Sequence, residues 1–143
     1  MPLQLRWIPS FSASAMHIAE RLATGRILLD ARLAELLAEP AMKLRQAAET
    51  CNLSLENFWR HLLPLAAQIE NNRQLAQRVA VRLLGAQRVG DTLAFTIGSA
   101  ISDLEAAYRL AVPDIDEQLR LRIGPLREMW EGRGPGLMIL IGQ

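Results

Sequence analysis

DTLAFTIGSAISDLEAAYRLAV, residues 91 to 112, is the segment around which the rest of the chain is predicted to pack. At about 1.5 Å per residue, a helix of this length extends roughly 30 Å. Because Phe95 and Leu110 fall outside its apolar stripe, we expect the helix to bury apolar groups on a second side and to run between neighbours. The stripe itself recurs at helical spacing and consists of Leu93, Ile97, Ala100, Ile101, Leu104, Ala107, Tyr108 and Ala111.

The ends of this segment and one internal glycine carry further information. Asp91 is predicted to be the N-cap, because its carboxylate can accept a free amide of the first turn. Pro113 is predicted to set the end of the helix. Gly98 costs about 1 kcal/mol inside a helix relative to alanine, so we expect another helix to cross closely at this point.

The composition is typical of a globular protein, and the net charge is too small to attract any one class of partner. The 143 residues are 50% hydrophobic and 22% charged, with a net charge of +1, so nucleic acid and anionic membranes are not attracted in bulk. Cys51 is the only cysteine, which excludes an intramolecular disulfide and suits a reducing compartment. The first residues have no uninterrupted apolar stretch typical of a signal peptide, and no apolar run approaches the roughly 18 residues that span a bilayer. We therefore expect a cytoplasmic protein with no membrane partner.

The positions of proline, glycine and capping residues predict the order of the helices. Strict alternation of apolar and polar residues is absent before the last eight residues, which predicts an all-α class. We expect a single-domain irregular helical bundle of six to eight helices over residues 1–136. The chain is predicted to begin with an arm that packs Trp7 and Phe11, followed by a helix that is capped by Ser12 or Ser14 and ends before Gly25. Next come a helix or an extended segment from Arg26 to Ala38, a helix restarted at Pro40, and a Ser54-capped helix that Pro64 kinks or divides. The remaining predicted elements are a helix over 73–84, the central helix, and two short helices over 114–123 and 125–131.

The last residues form a separate apolar segment, 137–143, which contains LMILI. Burial of five such side chains is worth about 7 to 15 kcal/mol as an upper bound. Its position after Pro135 and Gly136 is typical of a buried strand, yet nothing upstream offers a partner strand. The segment either folds back on the bundle as a helix or an extended arm, pairs with another protomer, or begins a further domain. Because a strand needs its backbone groups paired, we favour the last two, and predict a protein partner or homo-oligomer contact through Leu137, Ile139 and Ile141.

Residues 47–62, AAETCNLSLENFWRHL, resemble a helix-turn-helix motif. The motif needs a small residue in its first helix, here Ala48, a residue that tolerates the left-handed turn, here Asn52, and an apolar residue facing back, here Phe58. This resemblance implies a nucleic-acid-binding protein, in which Arg60 reaches phosphate. The positions that would then face the DNA groove are Leu55, Glu56 and Trp59, which are poorly suited to a duplex.

Two oppositely charged blocks follow the motif. Residues 60–90 carry a net charge of +4 and residues 91–117 a net charge of −5. Either the two blocks pair as exposed bridges worth ~0 to 1 kcal/mol each, or the first block offers a basic face to nucleic acid. In the second case, the candidate binding residues are Arg60, Arg73, Arg78 and Arg82.

The residues suited to catalysis or ligand binding are few. Cys51 with His61 can make at most a two-residue pair, and no metal-binding histidine motif occurs. The glycines around Arg133 follow a predicted helix, whereas a dinucleotide cradle needs them between a strand and a helix. Arg127 and Arg133 therefore remain only as an anion-site hypothesis. The sequence predicts no catalytic residues, metal or cofactor, and favours a non-catalytic protein-interaction module, possibly part of a larger protein, with a nucleic-acid binder as the alternative.

Overall fold

The computed structural model describes residues 6–26 and 30–141, with side chains described as far as residue 134. Within these ranges the chain forms helices and no strand, which confirms the predicted all-α class. No helix in the described ranges is long and apolar enough to cross a membrane. The six helices of these ranges are α1 (Phe11–Ala23), α2 (Ala31–Thr50), α3 (Leu55–Ala66), α4 (Asn72–Leu84), α5 (Asp91–Ala111) and α6 (Ile115–Ile141).

The chain divides into two compact units. Ser10–Pro113 contains α1 to α5, and the second unit combines α6 with residues 6–9. The predicted boundary between a helical domain, 1–136, and an apolar tail, 137–143, is not tested by this division and stays a prediction.

Helix α5 is the central element of the first unit, where it packs against α1, α2 and α4. Ile97, Ile101, Leu104 and Tyr108 are at most 5% exposed, as their spacing predicts, while Leu93 is only half-buried. The expectation of a second buried side is wrong, because Phe95 and Leu110 are 75% and 61% exposed. The neighbouring helices therefore cover the apolar stripe and leave the rest of α5 at the surface.

Gly98 marks the crossing of α4 over α5, as its place inside a helix predicts. A Cβ atom built on Gly98 would lie 3.5 Å from the carbonyl oxygen of Asn72, 3.6 Å from Cβ of Ala76 and 3.8 Å from Cα of Arg73. Backbone atoms of α4 thus approach α5 directly at the glycine. The residue lets the two helices pack closely without an intervening side chain.

A polar junction ties the start of α1 to α5 and α4. The Ser12 hydroxyl donates to Oε1 of Glu105, and the Ser14 and Tyr108 hydroxyls lie 2.9 Å apart in a hydrogen bond. Asn72 Nδ2 donates to Oε2 of Glu105 at 2.8 Å. The predicted capping role of Ser12 and Ser14 is therefore wrong, because both hydroxyls bond to α5 instead.

Side-chain caps start four of the helices, as short polar residues at N-cap positions do in general. The cap of α1 is Ser10, two residues before Ser12 and four before Ser14. Asp91 is the first residue of α5 rather than its N-cap, which is Gly90, and its charge complements the helix dipole there. The four bonds are Ala13 N to Ser10 Oγ at 3.1 Å, Leu33 N to Asp30 Oδ1 at 3.0 Å, Asn57 N to Ser54 Oγ at 3.4 Å, and Gln74 N to Asn71 Oδ1 at 3.0 Å.

Several predicted breaks lie inside continuous helices, so the count is at the low end of the expected range. Pro40 is buried within α2, where its packing offsets the lost backbone bond, and Pro64 lies in the last turn of α3. Gly124, Pro125 and Gly132 lie within α6 and do not divide it. Each proline removes a single backbone hydrogen-bond donor, and the remaining backbone hydrogen bonds keep the helix continuous through that position.

The C-terminal apolar segment is helical where the structure describes it. The backbone of residues 137–141 continues α6, so the extended conformation favoured by the sequence is corrected for these residues. A helix pairs its own backbone groups, whereas a strand needs a partner that the described residues do not provide. Residues 142 and 143 lie outside the described residues.

In the second unit, an aromatic pair links α6 to the chain before Ser10. The rings of Trp7 and Trp130 meet edge to face with centroids 6.4 Å apart. A Cβ atom on Gly134 would overlap the Trp130 ring, so the glycine leaves the space that this ring occupies. Trp7 therefore packs as predicted for the arm, while Phe11 stacks on Tyr108 in the first unit at 5.3 Å.

Candidate functional site

An open groove with a volume of about 660 Å³ lies between α2 and α5 in the first unit. The two helices run antiparallel along it. At one end of the groove Lys43 of α2 contacts Asp103 of α5, and the other end is lined by Cys51, which follows α2, and by Gly90 and Thr92 at the start of α5. Its lining comes from Lys43, Gln46, Ala47, Thr50 and Cys51 on one side and from Gly90, Thr92, Leu93, Phe95, Thr96, Ser99, Ala100 and Asp103 on the other.

The floor of the groove is formed by small apolar residues. Ala47 and Ala100 are 6% and 2% exposed, and both belong to the packed faces of their helices. Larger residues at these two positions would fill the space between α2 and α5. Leu93 is half-buried beside them, and the Phe95 ring stands in the wall with most of its surface open to solvent. The groove thus combines an apolar floor with an exposed aromatic side chain.

Short polar side chains line the rest of the groove. The Thr50 hydroxyl donates to the carbonyl oxygen of Gln46, and the Thr96 hydroxyl donates to that of Thr92, both at 2.8 Å. These hydroxyl protons are engaged by the backbone of their own helices. The hydroxyl oxygens keep acceptor capacity, so the threonines can receive a hydrogen bond from a partner.

A charged pair lies at one end of the groove. There, Lys43 Nζ lies 3.3 Å from Glu39 Oε1 and 3.8 Å from Asp103 Oδ2, and so bridges α2 to α5. All three side chains are about half exposed or more, so such a bridge contributes only ~0 to 1 kcal/mol to stability. Asp91 is exposed and is a sequence neighbour of the lining residues Gly90 and Thr92, but it does not itself line the groove.

Cys51 lies at the end of α2 and lines the groove as a free, half-buried thiol. Its backbone begins the turn into α3, so its position is fixed by the end of α2 rather than by its side chain. Within the described residues, no group of three or more histidine, cysteine, aspartate or glutamate side chains is arranged to hold a metal ion.

The helix-turn-helix-like segment has the turn that its sequence implies. Asn52 adopts a left-handed conformation with φ of 53°. Its amide donates to Glu49 O, and the Leu53 amide donates to Ala48 O, both at 3.0 Å, which is the Schellman pattern of a helix C-terminus. Ala48 and Phe58 are fully buried, and α3 packs mainly against α1 and α4, with fewer contacts to α2.

The outer face of that segment differs from what duplex recognition requires. Trp59 is 2% exposed and is therefore not a groove-facing residue. The Arg60 guanidinium donates to Oε1 of Glu56 at 2.7 Å, which neutralises the two charges against each other. Leu55 is half-buried at the start of α3. This surface thus presents a neutral pair where DNA phosphates need free positive charge.

The remaining sequence-predicted binding residues lie in separate units. Arg73, Arg78 and Arg82 are exposed on α4 in the first unit, and the described residues include no acid paired with them. Arg127 lies on α6 in the second unit, where a hydrogen bond of 2.7 Å from its Nε to Glu131, and then the charge of Glu131, raise the pKa of Arg127. Arg133 borders a smaller recess beside Trp7 and Trp130.

The side chains of Leu137, Ile139 and Ile141 lie outside the described residues, although their backbone belongs to α6. Their predicted role in a partner or oligomer contact is therefore untested.

The groove was not among the sites predicted from the sequence. A usable signal existed, because Phe95 lies off the buried stripe and is flanked at helical spacing by Thr92, Ser99 and Asp103. A single aromatic residue among short polar ones on one helix face is more typical of a surface than of a second core contact. The opposite wall depends on how α2 packs, which the local pattern does not contain.

No family model, curated protein or solved structure matches this chain.

Proposed function

We propose that this protein is a cytoplasmic, non-catalytic helical protein-interaction module that binds its partner in the groove between α2 and α5. One observation carries the proposal, the 75% exposure of Phe95 in the wall of that groove. Leaving a phenylalanine side chain in water forgoes roughly 1.5 to 3 kcal/mol of burial. Aromatic residues are enriched at the centres of protein interfaces, where a partner recovers this energy.

The dimensions and chemistry of the groove suit contact rather than catalysis. Its volume of about 660 Å³ can admit several side chains of a partner. The Thr50 and Thr96 hydroxyls donate to backbone carbonyls of their own helices. The alanine floor offers apolar surface, and the threonines offer acceptors at its edge. Such a combination of apolar floor and polar rim is typical of binding surfaces.

Site-specific photo-crosslinking in the host cell tests this proposal. A photoreactive phenylalanine analogue at position 95 should cross-link one discrete partner protein. The matched control is the same analogue at position 110, because Leu110 is also exposed on α5 but does not line the groove. Equal cross-linking at both positions, or none at position 95, would contradict the assignment of the groove.

A nucleic-acid-binding function is the second candidate, favoured by the left-handed turn at Asn52 and by the exposed arginines of α4. The neutral Glu56–Arg60 pair and the buried Trp59 weigh against it. A salt titration on a heparin column distinguishes the two candidates. Retention whose logarithm falls steeply with the logarithm of salt concentration, with a slope of about 0.9 for each phosphate contact, would favour this second function.

A contact with a protein partner or a second copy through Leu137, Ile139 and Ile141 is also proposed from the sequence. Removal of residues 137–143 followed by light scattering tests it, since loss of a higher mass would show that the segment joins protomers.

A further inference from the structure

We propose that one face of α6 is a contact surface for a second copy of this chain, in which the two α6 helices lie parallel. This α6 face consists of side chains between residues 117 and 133 and belongs to the second unit, whereas the groove between α2 and α5 belongs to the first. Apolar side chains occupy the middle of the face, and opposite charges occupy its two flanks. It precedes residues 137–143, whose partner contact is predicted from the sequence.

The middle of the α6 face is apolar and open to solvent. Leu121 and Met129 are 69% and 59% exposed, and Pro125 is exposed between them in the sequence. At about 100° of rotation per residue, these three residues lie within roughly 80° of one another around the helix axis, and Gly132 lies among them. A stripe of this width is typical of the seam along which two helices pack in a coiled coil.

The composition of α6 makes contacts on this face necessary. Gly124, Pro125 and Gly132 lie inside the helix, and glycine and proline are the residues least favourable to a helix interior. Helices in proteins depend on the packing of an apolar face even without such residues. Trp130, which contacts Trp7, lies about 140° around the axis from Pro125. That contact therefore leaves the α6 face uncovered.

The two flanks of the α6 face carry opposite charges. Glu117 and Glu128 lie on one flank, about 80° and 60° around the helix axis from Pro125. Arg122 and Arg133 lie on the other flank, at about 60° and 80°. Each arginine follows a glutamate by five residues, and the second pair follows the first by eleven residues. Because eleven residues make close to three helical turns, the pattern repeats on the same two flanks.

The four flank charges have no ionic partner among the described residues of their own chain. All four side chains are exposed, and the two members of each pair lie about 140° apart on the helix, too far around it to bridge within one copy. Arg127 and Glu131, by contrast, are four residues apart and bridge at 2.7 Å on the opposite side of α6. The flank charges are therefore available to a second chain.

The arrangement of the flanks sets the direction of the second helix. In a pair related by a two-fold axis parallel to the helices, opposite flanks meet, so the glutamates of one copy face the arginines of the other. In an antiparallel pair, like flanks meet, and carboxylates face carboxylates. Charges at flanking positions set partner orientation in coiled coils, and like charges exclude the wrong arrangement. Complementary charge therefore selects a parallel pair of identical faces.

Sedimentation equilibrium of the full chain at increasing concentration tests for this pair. We expect a reversible equilibrium between monomer and dimer. Leu121→Ser should weaken the dimer about thirtyfold, because both copies lose an apolar anchor. Leu110→Ser is the matched control and should change the dissociation constant less than about twofold, because Leu110 is exposed on α5 in the first unit. A circular dichroism melt of each variant confirms folding.

Charge exchange tests whether the flanks meet between copies. Glu128→Arg and Arg133→Glu should each weaken the dimer about tenfold, because each change places like charges opposite each other twice in a symmetric pair. The double variant should recover the native dissociation constant to within about threefold. Positions 128 and 133 cannot bridge within one helix, so recovery has to come from pairing between copies. Glu131→Arg makes the same change in net charge as Glu128→Arg on the opposite side of α6 and should alter the dissociation constant less than about twofold.

Disulfide cross-linking in a Cys51→Ser background tests the direction of the helices. Gln118 and Gly132 each lie about 20° around the axis from Pro125. Gln118→Cys and Gly132→Cys, made as separate variants, should both give covalent dimers on oxidation, because equivalent residues meet along the whole seam of a parallel pair. An antiparallel pair brings together at most one set of equivalent residues. Arg127→Cys, on the opposite side of the helix, should give no covalent dimer.

A monomer at every concentration, or a dimer that Leu121→Ser leaves unchanged, would overturn the proposal. A double charge variant that dimerises no better than the single variants would also overturn it. So would cross-linking at fewer than both of positions 118 and 132. None of these results bears on the groove between α2 and α5, because photo-crosslinking at position 95 reports on a residue of the first unit.

Discussion

Replacement of Gly98 by alanine should stabilise the protein, although this glycine lies at a close helix crossing. The added methyl group would meet Asn72 O, Ala76 Cβ and Arg73 Cα at 3.5 to 3.8 Å, which are ordinary van der Waals separations. The variant therefore introduces no clash. It removes the backbone-entropy cost of a helical glycine, which is about 1 kcal/mol.

Larger side chains at the same position should have the opposite effect. Two of the three nearest atoms belong to the α4 backbone, which cannot rotate away as a flexible side chain can. Gly98→Leu should therefore force α4 away from α5 and cost about 1 to 3 kcal/mol, as overpacking does in other cores. Gly98→Ala should therefore raise the free energy of unfolding, whereas Gly98→Leu should lower it.

Urea unfolding followed by circular dichroism measures both changes in the free energy of unfolding. The matched control is Gly124, which is also inside a helix but has no heavy atom within 4 Å of its Cβ position. Gly124→Ala and Gly124→Leu should both be tolerated. A loss above about 0.5 kcal/mol for Gly98→Ala, or tolerance of Gly98→Leu, would refute the crossing geometry derived for α4 and α5.

Substitutions at three further positions test other parts of the first unit by the same urea melts. Leu104→Ala should cost about 2 to 5 kcal/mol because Leu104 is fully buried, and a loss below about 0.5 kcal/mol would remove α5 from the core. Trp59→Phe should lower the free energy of unfolding by less than about 1 kcal/mol, or should raise it. The reason is that the buried Trp59 Nε1 has no hydrogen-bond partner among the described residues, and an unmade hydrogen bond of this kind costs about 1 to 3 kcal/mol. A loss above about 2 kcal/mol would mean that Nε1 is hydrogen-bonded. Asn52→Ala should destabilise by about 1 kcal/mol and Asn52→Gly should not, because φ is 53° there, so equal stability of the two variants would contradict the left-handed turn.

The burial of α5 could be predicted from the sequence because side-chain direction follows from helical periodicity alone. Ile97, Ile101 and Leu104 repeat at that period, and each of them is buried. The role of Gly98 could also be predicted from the sequence. A glycine inside a helix lowers helix stability, and a close crossing by another helix is one of the few reasons for a glycine at such a position. The solvent exposure of Phe95 could not be predicted in the same way, because the exposure of a second helix face depends on where the neighbouring helices end. That information lies in the packing of α2 and α4, not in residues 91–112.

Helix boundaries were less predictable where proline and glycine were taken as breaks. A break at Pro40 or Pro125 competes with the hydrogen bonds on either side, and the outcome depends on packing that a local pattern does not contain. The C-terminal segment shows the same competition. Its apolar, β-branched residues favour a strand, but a helix can satisfy its own backbone without a partner. The described backbone is helical to Ile141.

The two faces of α5 make binding and stability separable by mutation. Leu104 and Ile101 are fully buried, so their loss should unfold the protein before it reveals anything about a partner. Phe95 and Asp103 stand on the exposed side of the same helix, and their substitution removes little or no packing. Surface changes of this kind usually alter stability by less than about 0.5 kcal/mol. A large loss of binding in Phe95→Ser with an unchanged urea midpoint would therefore have to come from the groove itself, and not from the fold that holds it.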